Sequence, residues 1–79
     1  MTNSEKTLII IGELQKRLDE NYLKRIQVLL TKKNNTLMIK VVNMDLPGLK
    51  ERVKDLIERT YPESLMLIEE KKTVLIYAV

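Results

Sequence analysis

The sequence predicts an α+β fold, a two-layer sandwich in which a four-stranded antiparallel sheet carries two helices on one face. Three observations lead there. Apolar residues recur at three- and four-residue steps over 4–22 and again over 46–57, which is the period of a helix. Each of these stretches is followed by two short β-branched or aliphatic runs with a polar turn between them, the pattern of a hairpin. The two halves also match. Moving Leu14, Leu18, Tyr22, Ile26, Val28 and Leu30 forward by 39 positions lands on Val53, Ile57, Tyr61, Leu65, Leu67 and Glu69. After a shorter second turn, Thr36, Leu37, Ile39 and Val41 fall on Thr73, Val74, Ile76 and Ala78. The expectation is one domain over 1–79, built from α-β-β pseudo-repeats at 4–42 and 45–79.

The first helix is expected from Ser4, a plausible cap, to Tyr22, with Leu8, Ile11, Leu14, Leu18 and Tyr22 on its buried side. Ile9 and Ile10 would widen that side; alternatively, Leu8 to Ile11 could form a short strand ending at Gly12. Arg25 to Thr31 and Thr36 to Val42 make the first hairpin around Lys32-Lys33-Asn34-Asn35, where the asparagines tolerate left-handed turn geometry. In the second helix Asp45 is the expected N-cap and Pro47 lies in the first turn. Its stripe is Leu46, Leu49, Val53, Leu56 and Ile57, and Tyr61-Pro62 ends it. "SLMLIEE", a Lys71-Lys72 turn and "TVLIYAV" supply the second hairpin.

A four-residue first loop and a two-residue second turn assign each strand residue to a side, because cross-strand partners share a face. Ile26, Val28, Leu30, Leu37, Ile39 and Val41, with Leu65, Leu67, Val74, Ile76 and Ala78, would meet the helices. The other side would carry Leu29, Met38, Val42, Met66, Ile68, Leu75, Tyr77 and Val79, interrupted by Arg25, Gln27, Thr31, Thr36, Lys40, Glu70 and Thr73. The more apolar second strand of each hairpin belongs in the centre, and Glu69 and Glu70 suit an edge. The strand order would be 1-2-4-3, a circular permutation of the ferredoxin-like plan.

Function is less legible. The chain has no cysteine and no histidine, which excludes Ser-His-Asp and Cys-His catalysis and the usual zinc ligand sets. Gly12 and Gly48, the two glycines, form no phosphate-binding loop. Glu69 and Glu70 should point to opposite faces of a strand and so cannot act as an acid/base couple. Asp45 reads as a cap rather than a base. No enzyme, cofactor or metal is therefore expected. No run approaches the ~20 apolar residues of a membrane span, and the chain is expected to be cytoplasmic.

Two functions remain. The first is a protein-interaction module, homodimeric or binding another protein, that uses the apolar outer side of the sheet. Two helices can cover only one face of four strands, and a solvated face is normally mainly polar. Half-burial of the eight apolar side chains there would remove roughly 400 Å² from water, on the order of 10 kcal/mol before the cost of association. The alternative is binding of single-stranded RNA or DNA, with Lys32, Lys33, Lys71 and Lys72 on the hairpin tips and Lys40 beside Tyr77 on the sheet. The formal charge of +3 is mild, and Tyr22, Tyr61 and Tyr77 are the only aromatic residues.

Overall fold

The computed structural model describes residues 2–21 and 24–79. Six elements follow one another: α1 (Asn3–Asn21), β1 (Gln27–Lys33), β2 (Thr36–Val42), α2 (Leu49–Thr60), β3 (Met66–Glu70) and β4 (Leu75–Ala78). The strands form one sheet in the order β1-β2-β4-β3, every neighbouring pair antiparallel, with both helices on one side. The sequence-predicted class and strand order are those observed.

Leu8 to Ile11 is helical, inside α1. Thr2 takes the capping role expected of Ser4: its carbonyl accepts from Lys6 N–H at 3.0 Å and its Oγ1 from Glu5 N–H at 3.2 Å. The buried stripe is Thr7, Ile10, Ile11, Leu14 and Leu18, so it starts one residue before Leu8. Leu8 and Ile9 are exposed, contrary to expectation. Thr7 can be wholly buried because its hydroxyl donates to Asn3 C=O at 2.6 Å. Tyr22, expected to end the stripe, lies outside the described residues.

The first hairpin turns on two residues, not four. Asn34 and Asn35 both have positive φ, 52° and 64°, the backbone of a type I′ turn, which matches the twist of the strands it joins. Lys33 therefore pairs with Thr36 and Thr31 with Met38. This differs from the expected register by two residues, which leaves every side chain of β1 and β2 on its predicted face.

Asp45 does not cap α2; it lies 3.7 Å from Arg25, with both side chains more than half exposed. The dipeptide Pro47-Gly48 forms a turn instead. Leu49 N–H donates to Leu46 C=O at 3.1 Å, and Gly48 at φ 77°, ψ −6° occupies the third position of a type II turn, where φ must be positive. The helix starts only after that turn, at Leu49. It buries Leu49, Val53 and Ile57 and ends as Tyr61 N–H reaches Ile57 C=O at 2.9 Å.

The second hairpin departs from expectation in a way that matters for the surface. Lys71 N–H donates to Val74 C=O at 2.8 Å, so the turn is Lys72-Thr73, one residue later than predicted. Glu70 then pairs with Leu75 and Glu69 with Ile76, before a bulge at Ile68 brings Leu67 opposite Tyr77 and Met66 opposite Ala78. As in the first hairpin, the later turn moves the register by two residues and by itself leaves the faces unchanged. What turns β4 over is its pairing with β2, where Ile39 lies opposite Tyr77, one residue away from the Ile76 that the repeat matches to it. Leu75 and Tyr77, expected outside, are thus fully buried in the core, and Val79 packs against it. Ile76 and Ala78, expected inside, lie on the outer side. Without the bulge the same inversion would also turn Leu67 outward; the extra residue keeps Leu67 packed on the core.

Two cross-sheet rows lie on the helix side and supply most of the strands' share of the core, although Leu30 on the edge strand β1 stays 41% exposed. Val28, Val41, Leu75 and Glu70 form one, and Leu30, Ile39, Tyr77 and Leu67 form the other. Leu14, Leu18, Val53 and Ile57 pack against these strands in a single apolar cluster. Glu70, expected on the open face, ends a core row at the sheet edge. There it receives Lys50 Nζ at 2.8 Å and Lys54 Nζ at 3.0 Å, tying β3 to α2.

Candidate interaction face

The pairing that defines the core also fixes the opposite side of the sheet. Its first row runs Leu29, Lys40, Ile76, Glu69 across β1, β2, β4 and β3, and its second runs Thr31, Met38, Ala78, Met66. Alternation along each strand makes these rows the reverse of the buried ones. Neither helix reaches this side, since both are on the other. Between the rows lies a shallow concavity of about 750 Å³, lined by Thr31, Lys32, Lys33, Met38, Lys40, Ile68, Glu69, Lys71 and Ile76.

Five of the eight residues expected to form an outer apolar surface are on these strands' outer side. Leu29, Met66 and Ile68 are 42%, 69% and 48% exposed, large values for aliphatic side chains. Val42, opposite Gln27, is part-buried. Met38 is buried without belonging to the helix-side cluster, so its neighbours on the concave side shield it. The other three, Leu75, Tyr77 and Val79, belong to the core. Their places are taken by Ile76 and Ala78, which the sequence reading put inside. A signal existed in side-chain size: Leu75 and Tyr77 fill more core volume than Ile76 and Ala78. Glu69 joins the outer face through the same register.

Charges lie within and around this surface. Lys40 sits part-buried on the inner strand β2, between Leu29 and Ile76. Glu69 is exposed on β3 and meets Lys71 Nζ at 3.4 Å, both side chains well solvated. The hairpin tips are at opposite ends of the sheet. Val79 N–H donates to Leu37 C=O near the first turn, and Met44 N–H to Thr73 C=O at the second. Although the turns are far apart, Lys32 and Lys33 from one and Lys71 from the other line the same concavity; Lys72 is not part of its lining.

Of the six residues considered for nucleic-acid contact, Lys32, Lys33, Lys40 and Lys71 line one concavity, and Tyr77 lies on the other side of the sheet. Tyr77 is 1% exposed and its hydroxyl has no hydrogen-bond partner among the described residues. Burial pushes that hydroxyl's pKa up to about 12, helped by the Glu58 and Glu70 charges. Tyr77 thus cannot stack with a base, and Lys40 loses the aromatic neighbour expected beside it. Tyr61 is committed to the helix side, donating to Glu13 Oε2 at 2.9 Å; burial and then this bond raise its pKa to about 12. No helix among the described residues is long and apolar enough to cross a membrane. Comparison finds no matching family model, no matching curated protein and no matching solved structure.

Proposed function

We propose that this chain is a non-enzymatic interaction module that self-associates through the outer face of its sheet. The observation that carries the reading is the pair of outer rows. They present Leu29, Ile76, Ala78 and Met66 on one surface, with Ile68 beside them and Met38 shielded beneath, while both helices lie on the other side. A contiguous apolar surface of this kind marks an interaction site. Methionine suits such a place, being flexible enough to repack against a partner. A second copy could pair Lys40 with Glu69, which share one row, provided that the exposed Lys32, Lys33 and Lys71 stay in water at the rim.

The test is mass in solution by light scattering. A dimer of the 9.3 kDa chain is expected, and Ile68→Lys should convert it to monomer with the fold intact, since Ile68 is half exposed. A wild-type monomer at high concentration would overturn the reading. If that monomer bound a single-stranded oligonucleotide with affinity falling steeply in salt, and lost it on Lys40→Ala, nucleic-acid binding would replace it.

A further inference from the structure

We infer that the concavity on the outer face holds an acidic segment of another polypeptide, one that alternates carboxylates with aliphatic side chains. This goes beyond self-association and does not rest on it. The first observation is where the chain keeps its excess charge. Lys32, Lys33, Lys40 and Lys71 line the concavity against the single carboxylate of Glu69. With those five residues set aside, the sequence has ten basic and ten acidic side chains left, so the formal charge of +3 is gathered here. Among the described residues Lys32, Lys33 and Lys40 have no ion-pair partner, and only Lys71 meets Glu69, at 3.4 Å. Cations gathered on one concave surface draw an anionic ligand and fix its register.

Three of the lysines also follow a track. Lys33 is four residues along β1 from Leu29, which pairs with Lys40, and this separates the two lysines by about 14 Å. From Lys40 the row crosses Ile76 to Glu69, and Lys71 stands two residues further, about 12 Å from Lys40. The track runs obliquely from one hairpin tip to the other. In an extended peptide the residue four positions on returns to the same side after about 13 Å. Carboxylates at the first, fifth and ninth positions of such a peptide meet Lys33, Lys40 and Lys71. Aliphatic side chains at the third and seventh fall between them, over the floor that Met38, Ile68 and Ile76 provide. A single-stranded nucleic acid has the charge but needs aromatic faces for its bases. Tyr77 is buried in the core and Tyr61 donates to Glu13 on the helix side, so neither reaches the concavity.

The probe is a fluorescein-labelled nonapeptide, Glu-Ser-Leu-Ser-Glu-Ser-Leu-Ser-Glu, titrated with the protein at low salt and followed by anisotropy. Saturable binding that weakens with added salt is expected, and replacing the glutamates by glutamines should cost about tenfold or more. Lys40→Gln should weaken binding by about tenfold, and Lys33→Gln and Lys71→Gln by about threefold each. Lys72→Gln makes the same charge change outside the concavity and should leave the affinity unchanged, whereas Glu69→Gln should tighten it by about threefold. Circular dichroism melts confirm that each variant folds; Lys33 and Lys71 are exposed, so the test stands on them if Lys40→Gln does not fold. Equal binding of the glutamine peptide, or a Lys72→Gln as damaging as Lys71→Gln, would overturn the inference. An oligothymidylate of the same length bound more tightly than the peptide, through the same lysines, would assign the concavity to single-stranded nucleic acid instead. Absence of peptide binding by a dimeric wild type would overturn the inference and leave the face to a second copy; absence in a monomeric one would overturn both readings.

Discussion

Tyr77 is the residue where burial and polarity conflict most directly. Its ring fills the centre of a core row between Ile39 and Leu67, and its hydroxyl is out of water with no partner among the described residues. A buried hydroxyl without a hydrogen bond costs free energy that the ring's packing must offset. Tyr77→Phe keeps the ring and removes the penalty. The expected result is a gain of about 1 kcal/mol in stability to chemical denaturant; a loss of similar size would mean that the hydroxyl holds a bound water. At this scale the asparagines were readable from sequence, because two adjacent residues tolerant of positive φ point to a turn. Tyr77 is not readable in this way, because alternation allows either face and the pairing of β4 with β2, which no local turn residue specifies, selects one.

Among the elements, β3 and α2 are joined by the contacts of one carboxylate. The hydrogen bonds from Lys50, and next from Lys54, hold Glu70 below the ordinary glutamate value of 4.5, and Glu70 in turn raises Lys54. A carboxylate whose folded pKa is depressed contributes stability that is complete above its ordinary value and is lost as pH falls through the folded value. Lys54 behaves in the opposite sense, contributing fully below its ordinary value of 10.5 and losing that contribution as pH rises through its folded one. Glu70→Gln should therefore lower the thermal midpoint at neutral pH, and the difference from wild type should shrink as the pH drops below 4.5. A difference independent of pH would show that Glu70 acts by packing alone. Helix positions were legible because their apolar period is strong. The start of α2 was not, since Asp45 and Pro47-Gly48 are both start signals and the turn geometry of Gly48 decided between them.

For the molecule as a whole, the class, strand order and existence of an uncovered apolar side follow from having two amphipathic helices and four strands in 79 residues. The membership of that side does not follow, because the register of β4 on β2 and the single extra residue at Ile68 leave no mark in composition. The two sides now make opposite predictions for the same chemical change. A lysine at Ile68 should act on association. Leu75→Lys should act on folding, since Leu75 is wholly buried between Val41 and Glu70, and a charge there costs more than about 4 kcal/mol. Loss of the cooperative melt in Leu75→Lys, beside a retained melt in Ile68→Lys, would verify the assignment of faces.

The position of β4 between β2 and β3 has one more consequence. Each hairpin has its own short turn, yet among the described residues the ladder that joins them is the one β4 makes with β2. Neither half can retain a complete sheet if that strand detaches, and β3 then has no neighbour at all. The seam between β2 and β4 is thus where the sheet would part into its two hairpins.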